Sequence, residues 1–131
     1  RLHCRPGDEF LCEENCHIYN YEQGGFAQLS GVATRAIAGE GGMIERDALL
    51  RSIRREDVHQ VRTRLVCLEN THNMAGGRVL PLAAVADTCA AAARARLTAD
   101  LPVPMKPTRT MLGAGMVTSS RSGAGSRASC A

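Results

Sequence analysis

Apolar residues along this chain gather in short runs and amphipathic stretches, separated by turn residues. Phe10-Leu11-Cys12 lies between Pro6-Gly7-Asp8 and Glu13-Glu14-Asn15, which predicts a short strand with turns on either side. Asn15 suits the cap of a helix starting near Cys16, where Ile18, Tyr21, Gly25, Phe26 and Leu29 recur at near-helical spacing. Gly24-Gly25 weakens that helix by up to about 1 kcal/mol per glycine relative to alanine. Close approach by a neighbouring element or a ligand would account for both glycines.

Val32–Ala38 predicts a second strand, closed by the turn signal Gly39-Glu40-Gly41-Gly42. Glu45–Arg54 predicts a short amphipathic helix with Ala48, Leu49 and Ile53 inward and Arg46, Arg51 and Arg54 outward. Arg64–Glu69 contains Leu65-Val66-Cys67-Leu68, a continuous apolar run typical of a strand covered on both faces. A loop follows over Asn70–Val79. Pro81 suits the first turn of a helix, and Leu82, Val85, Ala86, Cys89, Ala92 and Ala93 carry the helical spacing to about Leu97. Leu101–Val103 looks like the start of another strand. Alternation of strands and helices predicts an α/β domain with a mostly parallel sheet over residues 1–103.

After Val103 the pattern stops. Residues 104–131 hold five serines, four glycines and two of the five prolines, a composition expected to stay disordered because it buries too little apolar surface. Charge divides at the same place. Residues 1–103 hold 12 basic and 13 acidic side chains, whereas residues 104–131 hold four basic and none acidic. A nearly neutral body argues against a nucleic-acid partner, which calls for a basic face on folded structure. No apolar run approaches the roughly 20 residues of a membrane helix, so no membrane partner is expected.

The chain opens on Arg1 without a basic-then-apolar leader, so we expect a segment upstream and a cytoplasmic location. Six cysteines stand at 4, 12, 16, 67, 89 and 130. Cys67 within an apolar run and Cys89 on an apolar helix face read as small hydrophobes, so free thiols are expected. Cys12-x3-Cys16-His17 offers only one close ligand pair, and a zinc centre calls for a second, so no metal is expected.

Two histidines stand just past predicted strand ends, where open parallel sheets bind ligands. His17 opens HIYNYEQGG and His72 lies in LENTHN. Taken singly, each is more often a capping or loop residue than a catalytic one. His59, in a polar connector, is given no role. The longer strings HIYNYEQGGFAQLSGV (17–32) and RTRLVCLENTHN (62–73), followed by GGRVLPL (76–82), resemble the low-specificity L-threonine aldolases, as does PGDEFLCEE (6–14).

That resemblance covers roughly residues 1–103. It implies part of the large domain of a fold-type-I pyridoxal-phosphate-dependent lyase, homo-oligomeric and acting on an amino-acid substrate. The family reaction is retro-aldol cleavage of threonine or allo-threonine to glycine and acetaldehyde, in threonine catabolism and glycine biosynthesis. By resemblance, His17 is a catalytic and cofactor-binding residue whose imidazole stacks on the pyridoxal ring. Tyr21 lines the substrate pocket, and His72 is catalytic, handling the β-hydroxyl proton. An imidazole with a pKa near about 6.5 suits that proton transfer.

Three family features are not found. The glycine-threonine turn that cradles the cofactor phosphate would precede Arg1, and PMKPTRT replaces an expected Asp-Gly-Ala-Arg after Val103. The only lysine, Lys106, lies outside the Ser-Lys-Gly-Leu setting of a Schiff-base lysine. The expectation is therefore an internal fragment with a non-homologous tail, inactive alone. The alternative is a non-catalytic subunit-pairing protein. Either way, strands ending near Cys12 and Glu69 should place His17 and His72 on a common cleft.

Overall fold

A computed structural model describes residues 2–95 and 97–100. The chain alternates strands and short helices: β1 (Asp8–Glu13), α1 (His17–Asn20), α2 (Gly25–Ser30), β2 (Ala33–Ile37), β3 (Gly39–Glu40), β4 (Met43–Ile44), α3 (Arg46–Ser52), β5 (Arg62–Cys67), α4 (Leu82–Arg94) and β6 (Thr98–Asp100). Four strands form one sheet in the order β2-β1-β5-β6, and every pairing within it is parallel. Two-residue strands β3 and β4 make a separate antiparallel hairpin. The α/β architecture with a parallel sheet is as the hydrophobic pattern predicts.

Strand alternation divides the core into two layers, one on each face of the sheet. Leu11 and Val66, both 0% exposed, point to one side with Leu49 of α3 and Val85, Cys89 and Ala92 of α4. Phe10 and Cys12 point to the other, where Cys4, Cys16 and Val32 join them and Phe26 of α2 packs alongside. Phe10 and Phe26 meet edge to face with ring centroids 5.2 Å apart. Full burial of an aliphatic side chain such as Leu11 contributes about 2 kcal/mol by area removed from water. The described residues therefore carry a sheet covered on both faces, as the apolar run 65–68 predicts.

Several boundaries move. β1 extends through Asp8, Glu9 and Glu13, and all six of its residues are buried. The single helix expected from Cys16 to Leu29 is two short helices. Gln23 (φ 50°) and Gly24 (φ 70°) adopt left-handed backbone between them, which no α-helix accommodates. Asn15 does not cap α1. Cys16 holds that position without a side-chain bond, and Asn15 turns back onto Glu13. Ile18, Tyr21 and Leu29 are consequently exposed rather than lined up inward.

The glycine turn after β2 is the tip of the β3–β4 hairpin, with Gly41 and Gly42 both at positive φ. In α3, Glu45 is the N-cap, and its carboxylate accepts the N–H groups of Asp47 and Ala48. Leu82 and Ala93 of α4 face solvent despite their helical spacing. The last described strand is Thr98–Asp100, and the strand expected at Leu101–Val103 lies outside the described residues, as does the expected disordered tail. No described helix is long and apolar enough to cross a membrane.

Candidate active site at the carboxyl end of the sheet

β1 and β5 are direct parallel neighbours, with Cys12 opposite Cys67 in register. Their carboxyl ends therefore deliver the two histidine-bearing loops side by side. Glu69, just beyond β5, ties them together. One of its carboxylate oxygens accepts the His17 backbone N–H at 2.6 Å, and the other accepts the Asn73 N–H at 2.7 Å. His72 Nε2 lies 3.8 Å from the same carboxylate. A residue 52 positions away in sequence thus fixes where α1 begins.

His72 is buried, and both ring nitrogens are engaged. Nε2 pairs with Glu13 Oε2 at 3.0 Å, and Nδ1 accepts the Ala75 N–H at 3.2 Å. An Nδ1 that accepts from an amide leaves the proton of the neutral ring on Nε2, directed at Glu13. Glu13 is itself held by the Asn15 N–H at 2.7 Å and the Asn15 side-chain amide at 3.0 Å. The ring packs against Gly42 of the hairpin so closely that any Cβ there would overlap the imidazole.

His17 has the opposite setting. It is half-exposed, its Nε2 lies 3.1 Å from Glu22 Oε1, and its ring stacks on Tyr21 with centroids 5.0 Å apart and planes 23° from parallel. The Tyr21 hydroxyl donates to Met74 Sδ at 3.2 Å, which links this loop to the LENTHN loop again. A cavity of about 530 Å³ opens beside His17, with Cys16, Cys67, Glu69 and Thr71 in its wall.

The two histidines therefore share one end of the sheet but not one cleft. His17 lines the cavity, whereas His72 sits beneath the hairpin, and Tyr21 lies against the His17 ring outside the cavity wall. The common-cleft expectation is corrected on this point. Burial on Glu13 wins for His72 because the buried carboxylate needs a donor. A second cavity, of about 620 Å³, lies beside the hairpin and α4 and includes neither histidine.

Glu13 went unrecognised in the sequence, where it served only as turn punctuation. An acidic residue directly abutting an apolar strand, with a histidine past the neighbouring strand, was the available signal. Gly42 had no signal beyond its pair with Gly41.

Residues 1–111 match the family model for the beta-eliminating lyases. The chain belongs to that family. Beta-eliminating lyases are pyridoxal-phosphate enzymes. Among relatives, the low specificity L-threonine aldolase of Escherichia coli (strain K12) is 39% identical over 80 residues, covering 60% of this chain and 23% of that protein. Low-specificity L-threonine aldolase 1 of Arabidopsis thaliana is 39% identical over 83 residues, again 60% of this chain and 23% of the relative. This chain thus spans under a quarter of the length of these relatives.

Among solved structures, a Leishmania major threonine aldolase superposes with TM-score 0.68 at 20% identity, covering 76% of this chain and 29% of that one. Aspartate aminotransferase from Thermus thermophilus gives TM-score 0.60 at 16% identity, covering 76% and 24%. At such identities these two establish the fold, that of the fold-type-I enzymes.

Pyridoxal phosphate asks for a flat platform, an amine for its aldehyde and donors for its phosphate. The described residues offer the first only, at His17. They include no lysine, and the charged side chains in the wall of the His17 cavity are Glu22 and Glu69, the wrong sign for a phosphate. They fit one face of the cofactor ring and not the whole group.

Proposed function

We propose that this chain is the histidine-bearing part of a threonine-aldolase-like lyase domain, built to act on a small hydroxy-amino acid and inactive in threonine cleavage by itself. The observation that supports this most is the Glu69 bridge, which joins the two family motifs at the carboxyl end of the sheet, where such folds place their chemistry. In this reading His17 supplies the stacking platform for the cofactor ring, and Tyr21 steadies the His17 ring from behind rather than lining the substrate pocket. His72 handles the β-hydroxyl proton at Nδ1, with Glu13 holding the other nitrogen and so fixing the basic one. That role requires the Ala75 N–H to leave Nδ1, a movement of the 71–77 loop.

This expected inactivity rests on the described residues offering no amine for the cofactor aldehyde and no phosphate donors in the cavity wall. Purified chain incubated with pyridoxal phosphate and L-threonine should release no acetaldehyde beyond a free-cofactor control. Turnover that disappears in Lys106→Ala would overturn this and make Lys106 an anchor. The residue roles have their own test. Residues 4–95 exchanged into the E. coli threonine aldolase should support cleavage, and His72→Asn in that chimera should lower kcat by about 100-fold. Unchanged kcat in His72→Asn, or unchanged cofactor affinity in His17→Ala, would refute the assignments.

A further inference from the structure

A group of thiols lies under the His17 cavity and takes no part in the lyase reading. Cys12 and Cys67 are opposite each other on adjacent parallel strands and so point to the same face of the sheet. Cys16, four residues after Cys12 and just past the β1 turn, is buried in the same cluster. The side chains of Cys12 and Cys16 lie in that one buried cluster, close enough to interact. Both are reduced. Cys16 and Cys67 reach the wall of the cavity, whereas Cys12 is sealed behind them.

Two thiols close enough to interact, one facing a cavity and one sealed behind it, match what an attacking and a resolving sulfur require. We propose that Cys12 and Cys16 form a redox-active dithiol, oxidised by a small hydroperoxide that enters through the His17 cavity, with Cys16 as the attacking sulfur. The Cys16 sulfur attacks the O–O bond. One oxygen stays on sulfur as a sulfenic acid, and the other leaves as water or an alcohol with the proton of the thiol. The Cys12 sulfur then attacks the Cys16 sulfur, the S–O bond breaks, and water departs carrying the Cys12 proton. Two electrons pass from the thiol pair to the peroxide, and one disulfide remains.

Electrostatics give the same order of reaction. The Cys12 thiol donating to Cys16, helped by the Tyr19 N–H, holds Cys16 below the ordinary thiol range although burial opposes it. Cys12 is pushed well above that range by the same contact and by burial. Cys16 is also the sulfur in the cavity wall, where a thiolate would meet the peroxide. Closure would tighten the 12–16 turn that precedes His17, since the Cys16 carbonyl holds the Asn20 N–H at 3.2 Å and the Asn20 side chain at 3.0 Å. Oxidation thereby acts on the stacking platform.

The test uses the reduced full chain and equimolar hydrogen peroxide, followed by alkylation of remaining thiols and cleavage after glutamate. Cuts at Glu13 and Glu14 separate the Cys12 and Cys16 peptides, so a bridge between them appears as a linked pair that dithiothreitol abolishes. That pair should be the first product. In Cys12→Ser its yield should fall to zero, and Cys16 should stop at a sulfenic acid trapped by a 1,3-dione. The map of the wild-type chain stands alone should that variant fail to fold. A first bridge from Cys12 to Cys67 or from Cys16 to Cys4 would overturn the proposal, as would a Cys16 left unmodified while Cys89 oxidises.

Discussion

The two ends of the β1–β5 strand pair both bury carboxylates, yet they satisfy them in different ways. At the amino end, Glu9 is 2% exposed and meets cations. Arg54 Nε lies 3.1 Å from one of its oxygens, Arg35 Nε lies 3.6 Å away, and the Thr63 hydroxyl donates at 3.0 Å. Asp8 beside it pairs with Arg62 at 3.3 Å. At the carboxyl end, Glu13 and Glu69 meet backbone amides, an asparagine and an imidazole, and no lysine or arginine among the described residues. Neutralised charge holds an element in place. Charge held by neutral donors keeps its field available to whatever enters beside it, which is the condition for chemistry.

The sharpest way to break this contrast is to remove each charge at constant shape. Glu9→Gln leaves two guanidiniums facing an amide. Because those side chains remain about a third exposed and can recruit water, the loss falls at the low end for a broken buried pair, about 3 kcal/mol. Glu13→Gln can keep its one oxygen on the Asn15 N–H and His72 Nε2, which share Oε2, and loses the bond from the Asn15 side-chain amide, about 1 kcal/mol. Urea unfolding of the two variants measures the difference. Equal losses, or the reverse order, would show that the carboxyl end is as structural as the amino end.

The amino-end cluster was invisible in the sequence because it joins residues 9, 35, 54 and 63, which no local spacing relates. Charged residues were read as punctuation, so β1 was expected as three residues. The structure shows that Asp8 and Glu9 stay in the strand because each finds a partner on β5, and Glu13 because Asn15 and His72 hold it. What was legible was period and order. Alternating Phe10, Leu11 and Cys12, the apolar run 65–68 and the helical spacing of 85, 89 and 92 place the sheet and both core layers. His17 and His72 were placed at the correct end of the strands. Their separation was not legible, because it depends on Gly42 and the hairpin closing over one ring, a contact between residues 30 positions apart.

That closure gives the second test, smaller in magnitude. Gly42 has φ 88°, and a Cβ there would overlap the His72 ring, whereas Gly76 has φ 72° and open space around it. Gly76→Ala should cost about 1 kcal/mol, from backbone conformation alone. Gly42→Ala should cost about 2 kcal/mol, because the ring or the hairpin must shift as well. It should also displace the imidazole resonances of His72 while leaving those of His17 in place. A Gly42→Ala variant with unchanged His72 resonances would mean that the hairpin does not seal that ring.

The smallest effect sharpens the comparison from outside the sheet. Glu45 is a carboxylate held by backbone N–H groups, as Glu69 is, but at the exposed start of α3. The N–H of Asp47 and then that of Ala48, with Arg51 and Arg46 nearby, hold its pKa below the ordinary carboxylate value. A pKa lower in the folded than in the unfolded chain means the fold binds this proton less readily. The cap then contributes its stability above the unfolded carboxylate pKa and loses it as pH falls through the folded value. The Ala48 amide proton, followed by NMR from neutral pH into acid, should therefore titrate below the ordinary carboxylate range, and Glu45→Gln should abolish that step. Water screens this charge, so global stability should barely change. If Glu45→Gln shifted the unfolding midpoint as far as Glu9→Gln does, burial would not be what separates the amino-end carboxylates from an ordinary cap, and the contrast between the two ends would lose its basis.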